Sequence, residues 1–272
     1  MVTDPIDAKN LETQGKYNIV NLKTGLGTGL VMMAGDSIHP ESPLSNVKVR
    51  QAVEYAIDKK AINDALYKGM GIITDQWSAP NTPTFNTKMT NFSYNPQKAK
   101  SLLAEAGYSP NMKLTLHCQN VKSWVDTCTA VQGFLTNVGM NVEVAPMERA
   151  SYTQLQKAGW KNGWIVGMVR MASDIPSQMS ETVHTKGFMY TIGMAHFKDV
   201  DQLVENALSI PNLATKQKIT LQLQQLIFDK KAMFTPILIP PTVVTKYKGY
   251  NGDGINEIEA TMWSPANAWI EK

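Results

Sequence analysis

The sequence predicts an α/β fold, with a mixed and mostly parallel sheet flanked by helices. The first observation is the alternation of strand-like and helix-like segments between residues 113 and 169. The second is that the apolar run at 164–169 does not alternate with polar residues, which is typical of a strand covered on both faces. The third is that 272 residues, 43% of them hydrophobic, are enough to form a substantial core.

The N-terminal part of the chain is predicted to be extended over residues 17–34, where glycines interrupt apolar residues. A helix is predicted over 45–57, because apolar residues recur there every three or four positions. Asp58 is predicted to cap a second helix, which Gly69 ends. Residues 72–94 are rich in Pro, Asn and Thr, and this composition indicates a long irregular segment.

The central and C-terminal parts begin with a well-marked helix, in which Asn95 is the N-cap, Pro96 is the first residue and Gly107 follows the end. The elements predicted after it are a strand at 113–117, a helix at 123–138, a strand at 140–145, a helix at 150–158, a strand at 164–169, helices at 200–209 and 215–231, and a strand at 235–239.

Charge and composition exclude several classes of function. The 26 Lys and Arg against 23 Asp and Glu give a net charge of +3, and the only arginines are Arg50, Arg149 and Arg170. Scattered lysines with so few arginines are not typical of a nucleic-acid surface. No apolar run approaches the 18 residues of a membrane span. The glycines of 25–29 precede a predicted strand rather than a helix, which argues against a dinucleotide-binding loop.

The sequence contains no motif for catalysis or for a cofactor. The four histidines do not fall at metal-ligating spacing, and no serine lies in a nucleophile motif, so we expect neither an enzyme nor a cofactor site. The two cysteines, Cys118 and Cys128, leave two alternatives open. They are either ordinary buried thiols or a disulfide that closes a short loop.

Asp174 is the candidate binding residue that the residue pattern itself singles out. It closely follows the buried strand at 164–169, and ligands of α/β sheets bind beyond the carboxyl ends of strands. The alternative is that Asp174 caps the helix that starts near Pro176. Arg170, four residues earlier, is either a salt-bridge partner or a ligand contact.

Two long segments and two weaker ones carry a family resemblance. The long segments are residues 43–59 (PLSNVKVRQAVEYAIDK) and 94–108 (YNPQKAKSLLAEAGY), and the weaker ones are 137–143 (NVGMNVE) and 199–207 (DVDQLVENA). In this order they resemble the extracellular solute-binding proteins of family 5, the oligopeptide-, dipeptide- and nickel-type binding proteins of ABC importers. The resemblance covers most of residues 10–250.

The resemblance implies a type II periplasmic-binding-protein lobe, in which a ligand is held by closure of two lobes. Since the N-terminus shows no signal peptide, the chain resembles a C-terminal domain fragment. The implied organisation is 1–34 as a segment of the missing N-terminal lobe, 35–244 as the C-terminal lobe, and 245–272 as a return segment. The implied partners are a small-molecule or peptide ligand, ABC permease subunits and the missing lobe, in the periplasm or outside the cell, and not nucleic acid.

The resemblance also implies a set of ligand-binding residues. Asp174 corresponds to the aspartate that pairs with the ligand's α-ammonium group in the family's peptide binders, although an isoleucine follows it here instead of an aromatic residue. Met171 stands where a tryptophan is common, Arg170 where a glycine is common, and Arg149 near a position that often holds an aromatic residue. Trp124 is a further candidate, either for lining the ligand site or for the core.

These residues lead to a hypothesis about the ligand and the function. Arg149 and Arg170 suggest a ligand with an anionic group, and the alternative is that both arginines pair with Asp174 or Glu148. The favoured function is the substrate-binding component of an ABC importer, for peptides or a related small solute. The alternative function is a ligand-sensing module of a transcriptional regulator or signalling protein of the same fold.

Overall fold

The computed structural model describes residues 4–22, 28–35, 38–78, 80, 82–90, 92–170, 174–189, 192–252, 266 and 268–271. A five-stranded sheet lies at its centre, with a hydrophobic core on each face. Helices cover both faces, which confirms the predicted α/β class. Within the described residues, no helix combines the length and the apolar character that crossing a bilayer requires.

The strands are β1 (Tyr17–Leu22), β2 (Thr28–Gly35), β3 (Lys113–Gln119), β4 (Asn141–Met147), β5 (Gly163–Arg170), β6 (Phe234–Leu238), β7 (Thr242–Tyr247), β8 (Tyr250–Asn251) and β9 (Trp269–Ile270). The α-helices are α1 (Pro5–Thr13), α2 (Val47–Ala56), α3 (Lys59–Tyr67), α4 (Pro96–Glu105), α5 (Lys122–Asn137), α6 (Arg149–Ala158), α7 (Ile175–Thr182), α8 (Lys198–Ser209) and α9 (Leu213–Gln224). A 3-10 turn precedes α2 at Pro43–Ser45, and α9 continues as a π-helix over Gln225–Lys230.

The five-stranded sheet has the order β4-β3-β5-β2-β6. Strands β4, β3 and β5 are parallel, and β2 pairs antiparallel with both β5 and β6, so four of the five strands run in one direction. This is the mixed, mostly parallel sheet that the sequence predicts. Strands β4 and β6 form the two edges, and each contains one proline, Pro146 and Pro236 respectively. A separate two-stranded sheet pairs β1 with β7.

The predicted domain boundaries at 34 and 244 both fall inside strands. The first boundary falls inside β2, whose residues Leu30 to Met33 are at most 1% exposed between β5 and β6. Residues 28–34 are therefore part of the central five-stranded sheet. The second boundary falls inside β7. Assignment of the remaining terminal residues to another lobe stays a prediction.

The helix starts follow the capping residues that the sequence predicts. The side chain of Asp58 accepts a hydrogen bond from the Ala61 amide at 2.8 Å, and that of Asn95 accepts one from the Lys98 amide at 2.9 Å. Helix α3 ends at Tyr67, and its C-cap residue Lys68 is in the left-handed region (φ 54°), directly before the predicted stop at Gly69. The helix predicted over 215–231 is divided by the structure into α9 and the π-helix.

A buried charge cluster joins α2, α3 and the irregular segment that follows them. The Lys59 ammonium donates to Glu54 at 2.9 Å and also binds Asp75, while Glu54 and Lys59 are only 1% and 5% exposed. One cation therefore lies between two carboxyl groups, of which that of Glu54 is fully enclosed and that of Asp75 is partly exposed. Burial raises the pKa of Glu54 to about 7, and Asp75 adds to this effect, although Lys59 opposes it.

This cluster predicts a specific pH dependence of stability. In the folded protein Glu54 keeps its proton up to about pH 7, whereas an ordinary glutamate loses it near pH 4.5. The contribution of Glu54 to the free energy of unfolding is therefore full in acid and falls as the pH rises through this window. When the pH rises from 5 to 8, the free energy of unfolding of Glu54→Gln is expected to increase by about 1–3 kcal/mol relative to that of wild type. Urea unfolding of both proteins at both pH values measures this difference.

The matched control for this experiment is Glu105→Gln, which removes a carboxylate from an exposed ion pair with Lys48. We expect its stability to change with pH in parallel with that of wild type, because an exposed pair contributes little. The same pH dependence in wild type and Glu54→Gln would contradict the prediction.

Candidate ligand-binding site

The carboxyl ends of β3, β4 and β5 meet along one side of the sheet, which we call the carboxyl edge. It comprises residues 119–124, 147–149, 170 and 174. Gln119 lies opposite Met147 in the β3–β4 ladder, and β5 continues to Arg170, which lies opposite the first residue of β2. The edge is the position at which open α/β sheets bind ligands.

On the β4 side of the carboxyl edge, Asn120 connects two loops. Its backbone amide donates to the Met147 carbonyl at 2.7 Å, and its side-chain amide donates to the Glu148 carboxylate at 3.0 Å. Glu148 occupies the N-cap position of α6. The Glu148 carboxylate is thus bound by an amide donor, and it does not pair with an arginine.

Asp174 occupies the N-cap position of α7, but its side chain makes no capping hydrogen bond to the helix backbone. Its carboxylate has two side-chain partners: the Ser177 hydroxyl donates at 2.6 Å, and the Lys216 ammonium lies 3.2 Å from both carboxylate oxygens. Partial burial on its own would raise the pKa of Asp174, but the hydrogen bonds from Ser177 and Lys216 outweigh it and hold the pKa below its ordinary value.

Arg149 and Arg170 are both exposed at the carboxyl edge. No described carboxylate lies within ion-pairing distance of either guanidinium group, so the alternative in which they pair with Asp174 or Glu148 does not describe this structure. The Arg170 carbonyl accepts a hydrogen bond from the side-chain amide of Gln178, which ties the end of β5 to α7. A ligand contact for the two arginines stays a prediction.

Trp124 is half-buried and lies between the two cores. Its ring packs edge-on against that of Tyr152, with centroids 6.3 Å apart, and the Tyr152 hydroxyl donates to the Val166 carbonyl at 2.7 Å. Trp124 contacts both hydrophobic clusters. The structure gives it a packing role, and a lining role stays a prediction. The remaining candidate, Met171, lies outside the described residues.

Cys118 lies in β3, one residue before the carboxyl edge, and Cys128 lies in α5. Both are buried, and both are free thiols in this structure. Their oxidation to a disulfide stays a prediction. In the described part of the chain, no three His, Cys, Asp or Glu side chains form a group that could hold a metal ion.

A cavity of about 560 Å³ opens beside the carboxyl edge, between the start of α5, the start of α1 and Pro240–Pro241. Its charged lining residues are Asp4, Asp7, Lys122 and Asp126, and the last two are paired with each other. The cavity therefore extends the edge toward α1 with mainly acidic groups.

Sequence reasoning did not identify Lys216, Gln178 or Asn120 as parts of the site. Lys216 lies 42 residues beyond Asp174 on a different helix, so no local pattern connects the two. Ser177 was identifiable in principle, because it stands three residues after an N-cap aspartate, the spacing of a local capping interaction.

The family model described as bacterial extracellular solute-binding proteins, family 5 Middle, matches residues 2–190. Heme-binding protein A of Haemophilus influenzae is 27% identical over 241 residues, which cover 85% of this chain and 42% of that protein. The dipeptide-binding protein of Escherichia coli is 27% identical over 161 residues, which cover 57% of this chain and 29% of that protein.

A structural comparison supports the same fold. The ABC transporter substrate-binding protein CtaP of Listeria monocytogenes has a TM-score of 0.86 at 21% identity, over 100% of this chain and 55% of that chain. At this identity the likeness concerns the fold alone. The chain spans less than half the length of the two curated relatives above.

The position of Trp124 predicts a measurable cost of its removal. Trp124→Ala is expected to lower the free energy of unfolding by about 2 kcal/mol, because a half-buried ring and its contact with Tyr152 are lost. Val121→Ala, at an exposed position next to the start of α5, serves as the control and is expected to change it by less than about 0.5 kcal/mol. Unfolding by denaturant measures both, and an unchanged midpoint for Trp124→Ala would refute the packing role.

Proposed function

The chain belongs to the bacterial extracellular solute-binding proteins of family 5, and on that premise we propose that it forms one wall of the ligand site in a substrate-binding component of an ABC importer. The observation that carries the proposal is the family match over residues 2–190. The ligand is captured between this lobe and a second lobe supplied by the rest of the protein. The partners are permease subunits, and the site of action is the periplasm or the cell exterior.

On this proposal the protein is a receptor and not an enzyme. Two relatives carry names that describe binding, of heme and of a dipeptide. Selectivity then arises from a few polar groups at the carboxyl edge, in an otherwise generic cleft. The comparisons lend no support to the alternative of a sensing module in a regulator.

The charges at the carboxyl edge favour a ligand with an anionic group. Arg149 and Arg170 are exposed there, while the nearby carboxylates of Glu148 and Asp174 already have donors. Apart from Lys122, which pairs with Asp126, and counted together with Lys216, the edge has three cations against two anions. A dipeptide and heme share the required group, since each carries at least one carboxylate. Guanidinium groups bind carboxylates with two parallel hydrogen bonds.

The proposal predicts that both arginines contribute to binding of a peptide carboxylate. A dipeptide such as Ala-Ala is expected to shift the NMR signals of edge residues, and Arg149→Ala or Arg170→Ala to weaken binding about tenfold, the effect of losing one charge-assisted hydrogen bond. Because one wall supplies only part of the contacts, we expect millimolar dissociation constants for this chain.

Lys60→Ala is the control, since it removes an exposed cation on α3 that lies outside the carboxyl edge. It should leave the affinity unchanged. Equal affinity in wild type and both arginine variants would refute the anionic contact. Micromolar binding by this chain would refute the arrangement in which a second lobe supplies the other wall.

A further inference from the structure

Lys216 places a primary ammonium group on the aspartate of the carboxyl edge. Its Nζ lies 3.2 Å from each carboxylate oxygen of Asp174, and the Ser177 hydroxyl donates to one of these oxygens at 2.6 Å. The Asp174 carboxylate therefore binds an ammonium group in this structure, and that group belongs to the protein's own Lys216.

The backbone of Lys216 is held in helix α9, and its side chain is mostly buried. It stands in the first turns of α9, where the Asn212 side chain caps the helix by accepting from the backbone amide and the hydroxyl of Thr215, both at 3.0 Å. The Lys216 side chain is only 25% exposed, whereas that of Asp174 is 47% exposed. The stem of Lys216 is therefore packed, and the open side of the carboxylate faces solvent.

We propose that Lys216 is a selectivity residue that occupies the ammonium position at Asp174 and biases the site against ligands with a free primary amine. The ammonium group of a ligand must displace Lys216 before it can bind Asp174. An anionic ligand can bind Arg149 and Arg170 without breaking the ion pair between Lys216 and Asp174. This inference rests on the proposed function, because it assumes that the carboxyl edge contacts the ligand. Its ligand class is a solute that carries a carboxylate and whose amine is absent or blocked.

The size of the effect follows from the exposure of the pair. An ion pair that is partly solvated contributes about 0.2–1 kcal/mol, so its displacement lowers the affinity for an amine by up to about fivefold. Lys216 thus adjusts preference between related ligands, and it does not decide whether binding occurs.

The test compares two probes on the 272-residue chain, Ala-Ala and N-acetyl-Ala-Ala, which differ in the free ammonium group. Lys216→Met keeps the length of the stem and removes the charge. We expect the ratio of the affinities for Ala-Ala and the acetylated peptide to rise about threefold, measured by NMR titration. Lys218→Met, on the same helix two residues away, is the control and should leave the ratio unchanged. An unchanged ratio for Lys216→Met overturns the inference.

A second measurement separates this inference from the proposed function. In a ¹⁵N spectrum of lysine ammonium groups, the Lys216 signal is expected to be protected from exchange, and Asp174→Asn should abolish that protection. If neither probe binds wild type or any variant, the proposed function fails for this chain. If Asp174→Asn leaves the Lys216 signal unchanged, the pairing does not exist, and the inference fails whether or not a ligand binds.

Discussion

The rest of the structure depends on the burial of β2 as an interior strand of the central sheet. Strands β5 and β6 flank it, and its residues alternate between two cores: Leu30 and Met32 pack with α2 to α5, whereas Val31 and Met33 pack with the group that includes α6 to α8. Strand β2 therefore contributes side chains to the cores on both faces of the sheet. Strand β5 pairs with β2 along its full length, up to Arg170 at the carboxyl edge.

Buried charged residues and exposed charged residues have different roles in this molecule. Glu54 and Lys59 are enclosed with their partner, so they hold the chain together and are closed to solutes. At the carboxyl edge the charges are partly or fully exposed, so a solute is able to exchange with their present partners. Such exchange costs little in water and would be prohibitive in the core, where an unpaired charge is strongly destabilising.

The sequence predicts those parts of the structure that depend on local patterns. Helices with an apolar stripe and a capping residue, such as α4 after Asn95, were placed correctly, because cap and stripe lie within a few turns. Helix α1 was missed, since Ala8 is its one buried residue and no stripe marks it. Strand β7 was missed because its partner is β1, more than two hundred residues earlier. In the site, Asp174 follows from its place after β5, whereas its partner Lys216 depends on how α9 packs, which no local pattern encodes.

The two prolines in the edge strands have a consequence for how copies of the molecule meet. An edge strand with a full row of free N–H and C=O groups invites a strand from a neighbouring molecule, and such pairing leads to aggregates. Pro146 in β4 and Pro236 in β6 each lack the N–H that an added strand would need, so neither lateral edge offers an unbroken row of donors. Edge-to-edge pairing of two such sheets is therefore disfavoured. The carboxyl ends of the strands stay accessible to solutes.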